Sequence, residues 1–109
     1  MLKPPMHNDV VLVSRDMTQP PDRHGKRPEK RLPIKARVQV GAKYIRAKDG
    51  TMKKAQLEVD LPAEVILTDG DLIEAKDNQG TWHTGLIIRV DEATNFSGNR
   101  TLWRTVYCE

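Results

Sequence analysis

The 109-residue sequence contains one cysteine, Cys108, and only five aromatic residues. A single cysteine excludes an internal disulfide and a zinc site built on cysteines, and it is consistent with a reducing compartment. The sequence also lacks an apolar run of the roughly 20 residues that a membrane helix needs. Residues 1–11 have no apolar stretch that would suggest a signal peptide. We therefore expect no membrane among the partners of this chain.

Constellations of reactive side chains are missing as well. The three histidines, His7, His24 and His83, are not at metal-ligand spacing from one another or from Cys108. No glycine-rich phosphate loop precedes a helix pattern, and no neighbouring base is evident that would activate Cys108. The sequence thus predicts a protein that is not an enzyme and that needs neither a metal nor a cofactor. His83 is expected to be solvated.

Charge is divided unevenly along the chain. Residues 1–50 contain twelve lysines and arginines against five acidic residues, a net charge of +7, whereas residues 51–109 contain six against ten, a net charge of −4. This division suits contact with nucleic acid through the basic half. It equally suits head-to-tail self-association, basic surface to acidic surface, or a mixed surface that only faces solvent. All three interpretations stay open at this point.

Alternation of apolar and polar residues predicts about six short β-strands and no amphipathic helix. Turn residues separate them, at Asp49-Gly50, Asp69-Gly70-Asp71 and Asp77–Gly80. We predict an all-β fold, a small closed or partly open antiparallel β-barrel, because closing the sheet removes exposed edges. Residues 65–67 fit one helical turn or a short strand. The predicted strands are Val10–Ser14, Pro33–Ala42, Lys54–Leu61, Leu72–Lys76, Trp82–Val90 and Thr101–Cys108.

The chain length suits one domain, which we place at residues 9–109 after a loose lead-in over residues 1–8. Period-2 alternation assigns one face of each strand to the core. On this basis the second strand places Val40 inward. Two or three of the aromatic residues Tyr44, Trp82, Trp103 and Tyr107 are expected to join the core. The residues for which burial is specifically predicted are Leu57, Val59, Ile73, Leu86 and Ile88.

Residues 16–32 are predicted to form a long polar loop after the first strand. Three prolines, one glycine and few apolar side chains prevent this loop from contributing to a core, and we expect it to be disordered in the free protein. Long loops in small domains are often functional. The loop has no aromatic side chain to stack on bases. Its candidates for contact with DNA phosphates or an acidic partner are Arg23, Lys26, Arg27, Lys30 and Arg31.

The order of these segments resembles that of the head-closure proteins of tailed bacteriophages, also described as head-completion, stopper, minor capsid or head–tail joining proteins. The similarity runs from Asn8 to Glu109. Within the long polar loop, the strongly basic stretch Pro20–Arg31 matches no motif of the family. The similar segments are NDVVLVSRD, the long polar loop, IKARVQV, the hairpin KDGT, AQLEVDLP, ILTDGDLIEAKDNQGTWHTGLIIRVDEA and the terminal TLWRTVYCE.

The resemblance implies a small β-barrel that forms a ring with copies of itself between the portal-bound adaptor protein and the tail. The ring closes the DNA-filled head and gives the tail-completion or tail-terminator protein its attachment site, with packaged DNA in the channel. The implied location is the neck of the virion, and the host cytoplasm during assembly. The alternative is a small SH3-like or OB-like β-barrel that binds nucleic acid.

A cyclic ring requires two different surfaces of the same chain to meet. We expect the basic front half of one copy to face the acidic back half of the next, with an apolar contribution from the last strand. The free protein is expected to be a monomer. The predicted subunit interface consists of Lys35, Arg37, Glu58, Asp60, Trp103 and Tyr107.

Overall fold

The computed structural model describes residues 5–15, 18–47, 49–65, 67 and 71–109. Each strand pairs antiparallel with two neighbours in the order β1-β2-β3-β6-β5-β4, and β4 pairs back onto β1, so the sheet closes into a barrel. The predicted all-β barrel of six strands with a long loop after the first strand is confirmed. The strands are β1 (Asn8–Arg15), β2 (Glu29–Arg46), β3 (Met52–Pro62), β4 (Leu72–Lys76), β5 (Trp82–Thr94) and β6 (Thr101–Cys108).

The longest strand, β2, links two parts of the barrel. Its first half pairs with β1, from Glu29 opposite Arg15 to Ala36 opposite Asn8. Its second half pairs with β3, starting at Arg37 opposite Asp60. The strand therefore begins four residues before the predicted Pro33, because the pairing with β1 holds residues 29–32 extended despite their polar side chains. The polar loop is shorter than predicted by the same four residues.

Aliphatic side chains fill the barrel. The predicted burial of Leu57, Val59 and Ile73 is confirmed, with exposed fractions of at most 3%. All five aromatic residues, each of which the structure describes, lie outside the core cluster, so the prediction that two or three of them join it is wrong. A barrel of only six strands has a narrow interior, which small branched side chains fill. The cluster consists of Val10, Leu12, Ala36, Val38, Leu57, Val59, Leu61, Val65, Ile73, Ala75, Ile87, Val106 and Cys108.

The first half of β5 turns the opposite face inward from the one predicted. Gly85 and Ile87 are buried, whereas Leu86 is 37% exposed and Ile88 is half-buried, so the predicted core positions Leu86 and Ile88 are wrong. An irregularity in the pairing with β6, between Ile87 and Arg89, then shifts the alternation. Val90 consequently packs against the core again.

The inward position of residue 85 requires glycine. A Cβ atom at Gly85 would lie 2.5 Å from the Cβ atom of Cys108 on the neighbouring strand β6. β5 and β6 can therefore approach closely only where the side chain is absent. A second irregularity, between Val40 and Lys43 in β2, leaves Val40 52% exposed rather than inward as predicted.

The turn between β2 and β3 has one residue more than the predicted two-residue type. The carbonyl of Ala47 accepts from the N–H of Gly50 at 3.0 Å, and the N–H of Ala47 donates to the carbonyl of Thr51 at 2.8 Å. Gly50 has φ of 89°, as predicted, but Asp49 does not have positive φ, which a primed Asp-Gly turn would require. The predicted turn residues Asp69 and Gly70 lie outside the described part of the chain, as does Ile66.

Candidate interaction surfaces

The basic loop between β1 and β2 contains a tight turn at residues 22–26. The N–H of Asp22 donates to the carbonyl of Lys26 at 2.7 Å, and the N–H of Gly25 donates to the carbonyl of Asp22 at 3.0 Å. The carboxylate Oδ1 of Asp22 also accepts from the N–H groups of His24 and Lys26, at 2.8 and 2.9 Å. One acidic side chain thus organises a turn that displays cations. The predicted disorder of the loop in solution stays a prediction.

The five predicted contact residues of this loop have different surroundings. Arg31 donates through Nη2 to both carboxylate oxygens of Glu74 on β4, at 2.5 and 2.6 Å. Arg27 donates through Nη1 to the carbonyl of Gln19 at 2.6 Å. These two guanidinium groups are therefore engaged within the chain. The exposed cations that remain are Arg23, Lys26 and Lys30.

The four charged residues of the predicted subunit interface each pair within their own chain. Lys35 forms an ion pair with Asp9 across β1 and β2. Arg37 lies 3.5 Å from the carboxylate of Asp60, measured from Nη1 to Oδ2. Glu58 lies 3.5 Å from the Nζ atom of Lys43. Their first partners are thus cross-strand neighbours rather than residues of another copy.

Asp60 points outward yet is only 7% exposed. Its Oδ1 atom accepts a hydrogen bond of 2.6 Å from the hydroxyl of Thr105, directly opposite on β6. The two predicted aromatic contacts, Trp103 and Tyr107, are half-buried on the outer surface of β6. The Nζ atom of Lys43 lies 5.2 Å from the centre of the Tyr107 ring, a cation–π contact. Burial, together with the nearby Glu58 carboxylate, raises the pKa of Tyr107.

The outer surface of β3, β6 and the second half of β2 is called the charged side below. It carries Arg37, Lys43, Glu58, Asp60, Thr105 and Tyr107.

The outer surface of β1, β4 and the first halves of β2 and β5 is called the apolar side. Val11 lies opposite Pro33, and Leu72 lies opposite Leu86. Trp82 is 51% exposed, and Leu72 and Leu86 are each 37% exposed. Trp82, Val11 and Pro33 line a groove of about 350 Å³ that has Lys35 and Asp9 at its rim. This surface was not predicted, because the alternation of apolar residues placed Leu86 inward. Gly85 is the residue in the sequence that could have indicated the opposite facing.

A cleft of about 610 Å³ lies at the end of the barrel beside the β2–β3 turn. Arg89 donates through Nη1 to the carbonyl of Arg46 at 3.3 Å and through Nε to Asp91 at 2.8 Å. Arg104 donates through Nε to the carbonyl of Ala63 at 3.0 Å and pairs with Glu92. These guanidinium groups lie on the adjacent strands β5 and β6 and connect the barrel end to β2 and to the turn after β3.

Cys108 and His83, two residues with chemically reactive side chains, are both held by contacts within the chain. Cys108 is fully buried, and burial raises its pKa to about 12, which keeps the thiol protonated. His83 is not simply solvated as predicted, because its Nε2 atom lies 2.8 Å from Oδ2 of Asp77. That hydrogen bond, with those from the N–H groups of Thr81 and Gln79, lowers the pKa of Asp77.

Among the described residues, no group of three or more histidine, cysteine, aspartate or glutamate side chains could hold a metal ion. No helix in that part of the chain is long and apolar enough to cross a membrane. Comparison of the chain with protein-family models, with curated proteins and with solved structures finds no match.

Proposed function

We propose that this chain is a structural component of a bacteriophage neck, where copies form a ring that closes the DNA-filled head and provides the tail attachment site. The observation that carries the proposal is the placement of large apolar side chains outside the barrel. Tyr44 is 71% exposed, Trp82 is 51% exposed, and Phe96 is fully exposed. Aromatic residues are enriched where proteins contact one another.

The apolar side supports an assembly role further, because Trp82, Leu72 and Leu86 expose apolar surface that a partner protein could cover. A cyclic contact needs two different surfaces of the same chain. The net charges of residues 1–50 and 51–109, +7 and −4, differ in sign. The resemblance to head-closure proteins supplies the biological setting. The proposed partners are further copies of the chain, the portal-bound adaptor and a tail-completion or tail-terminator protein, with packaged DNA in the channel. No catalysis and no cofactor are part of this role.

A second candidate is a small β-barrel that binds nucleic acid. It is favoured by three exposed cations: Arg23 and Lys26 in the turn that Asp22 organises, and Lys30 at the start of β2. Such cations would contact phosphates and would not read sequence, since the loop has no aromatic side chain to stack on bases.

Disruption of the coding gene in its phage tests the first proposal. We expect heads that package DNA, lose it, and carry no tails in electron micrographs, and we expect the wild-type gene to restore complete virions. Antibodies against the chain should label the neck of those virions. Intact tailed particles that form without the protein would overturn the proposal.

DNA binding by the purified chain tests the second candidate. Phosphate contact predicts an affinity that falls steeply with salt concentration. The double variant Arg23→Gln with Lys26→Gln should then lose affinity, whereas Lys53→Gln with Lys54→Gln, an equal loss of charge on β3, should not. Equal effects of the two variants would count against a specific role of the loop.

A further inference from the structure

We propose that the cleft of about 610 Å³ at the barrel end binds a phosphate group of a ligand through the guanidinium groups of Arg46, Arg89 and Arg104. We call it the arginine cleft. The three arginines come from three strands, β2, β5 and β6. The site is separate from the basic loop between β1 and β2 and from the apolar side. It goes beyond the neck function and does not depend on it.

Two of the three guanidinium groups are fixed by contacts within the chain. Arg89 donates through Nε to Asp91 at 2.8 Å and through Nη1 to the carbonyl of Arg46 at 3.3 Å. Arg104 donates through Nε to the carbonyl of Ala63 at 3.0 Å, and its Nη1 atom is engaged in an ion pair. Both side chains are therefore held in position before a ligand arrives, which reduces the entropy lost on binding.

Each of the three guanidinium groups keeps one nitrogen atom, Nη2, for a further partner. Arg46 donates only through Nη1, to the carbonyl of Gly50 at 3.3 Å. Within the described ranges of the chain, the Nη2 atoms of Arg46, Arg89 and Arg104 have no hydrogen-bond partner. A guanidinium group donates hydrogen bonds and accepts none, so the partner that suits these atoms is an oxygen with negative charge.

Cations outnumber carboxylates at the arginine cleft. Arg89 pairs with Asp91, and Arg104 pairs with Glu92. Arg46 forms no ion pair with any residue that the structure describes. The two carboxylates therefore leave one positive charge unbalanced, and an anionic ligand would balance it.

The arrangement favours phosphate over carboxylate. Arg46, Arg89 and Arg104 reach the cleft from three strands, and a phosphate group offers three acceptor oxygens that point in different directions, whereas a carboxylate offers two in one plane. The cleft volume lies within the range of ligand sites, roughly 300–1,000 Å³, and Leu67 and Val90 add apolar surface to the lining. The ligand is therefore larger than the phosphate itself. Two sources carry this chemistry, the backbone of nucleic acid and a small organic phosphate.

NMR titration of the ¹⁵N-labelled purified chain tests the site. The Nε–H groups of Arg89 and Arg104 are held in hydrogen bonds, so their signals report on the cleft directly. The probes are inorganic phosphate, ribose 5-phosphate, a short DNA duplex and acetate, each added at constant ionic strength. Arg46→Gln removes the arginine that has no ion pair. Arg100→Gln removes an exposed arginine outside the cleft and is the matched control.

We expect inorganic phosphate to shift both Nε–H signals in a saturable manner and to bind more tightly than acetate. Arg46→Gln should weaken phosphate binding about tenfold, because it removes hydrogen bonds between charged groups, and Arg100→Gln should leave it nearly unchanged. Between ribose 5-phosphate and the duplex, the probe that saturates the signals at the lower concentration identifies the source of the phosphate. Thermal unfolding of both variants checks that the barrel is intact.

Three results would overturn the site. The absence of a saturable shift with every phosphate probe would show that the cleft holds no phosphate. Acetate that binds as tightly as phosphate would show that any small anion enters, carboxylates of proteins included. Equal weakening by Arg46→Gln and Arg100→Gln would reduce the effect to net charge. The gene disruption is read independently of these titrations, so the site and the neck function can fail separately.

Discussion

The charged side and the apolar side of the barrel differ in how their outward side chains are satisfied. On the charged side, outward groups pair across strands: Asp60 accepts from Thr105 and lies close to Arg37, and Lys43 contacts both Glu58 and Tyr107. On the apolar side, Trp82, Leu72 and Leu86 remain between 37% and 51% exposed. The charged groups of the first surface find their partners within one chain, although Tyr44 and Val40 of β2 are exposed there as well. The second surface leaves apolar area beside β4 and β5 in contact with water, and another molecule could cover it.

This difference indicates that large side chains on the outer surface of a small barrel are not there only because the fold requires them. The aliphatic interior excludes every aromatic residue, and the ion pairs Arg37–Asp60 and Lys43–Glu58 lie on the outer surface of the charged side. The stability of the monomer should therefore depend on the interior and, less strongly, on the charged side. The apolar side should contribute mainly to assembly.

The largest expected effect is in the interior. Ile73 is 0% exposed, and Ile73→Ala should lower the free energy of unfolding by about 2–5 kcal/mol because it removes buried methyl groups and leaves a cavity. The adjacent Leu72→Ala, on the apolar side, should cost less than about 1 kcal/mol, near the usual range for surface changes. Urea unfolding measures both. Equal losses would show that the apolar side is a second core surface.

Gly85→Ala should destabilise the barrel by about 1–3 kcal/mol, because the new methyl group overlaps the Cβ atom of Cys108 and forces β5 away from β6. Gly41→Ala is the matched control, since a Cβ atom there meets nothing within 4 Å. Thermal unfolding of the two variants gives the comparison. A Gly85→Ala protein as stable as the control would contradict the close approach of the strands.

For ion pairs between neighbouring strands, burial rather than charge should decide the size of the effect. Asp60→Ala should cost about 1–3 kcal/mol, because it removes a buried carboxylate and leaves the half-buried hydroxyl of Thr105 without its acceptor. Asp9→Ala removes an exposed ion pair with Lys35 on the apolar side and should cost clearly less than Asp60→Ala. Urea unfolding measures both losses. A larger loss of unfolding free energy for Asp9→Ala than for Asp60→Ala would contradict the stabilising role of the buried Asp60.

Alkaline pH should weaken the fold through Cys108. The buried thiol has its pKa raised from 9.0 to about 12, so the unfolded state loses this proton first as the pH increases. The contribution of the protonated thiol is fully present below pH 9 and declines above it. At one pH unit above the unfolded pKa the loss is about 1.4 kcal/mol. Cys108→Ala should lack this component; a pH dependence identical to wild type would contradict the assignment.

The sequence was sufficient to predict the strands, because most residues alternate cleanly. Ala55, Leu57, Val59 and Leu61 of β3 all point inward as their period-2 pattern indicates. The positive φ of Gly50 was predictable too, since the turn chemistry is local. These features depend on neighbours along the chain and not on the closure of the barrel.

Which face of β5 points into the barrel could not be predicted in the same way. Both faces of the segment from Trp82 to Val90 carry apolar side chains, and an irregularity near Ile88 changes the alternation within the strand. The apolar side was hidden for a related reason. It arises from the register of β1, β2, β4 and β5, which brings Val11, Pro33 and Trp82 together from distant parts of the sequence.

The most direct test of the assembly surface compares the two tryptophans, because Trp82 lies on the apolar side and Trp103 lies on β6. ¹⁵N-labelled wild-type chain is mixed with increasing amounts of unlabelled wild-type chain, and broadening of the indole N–H signals reports contact between copies. We predict broadening of the Trp82 signal and not of the Trp103 signal. Stronger broadening of Trp103, or equal weak broadening of both at high concentration, would contradict the claim that the apolar side receives a second copy.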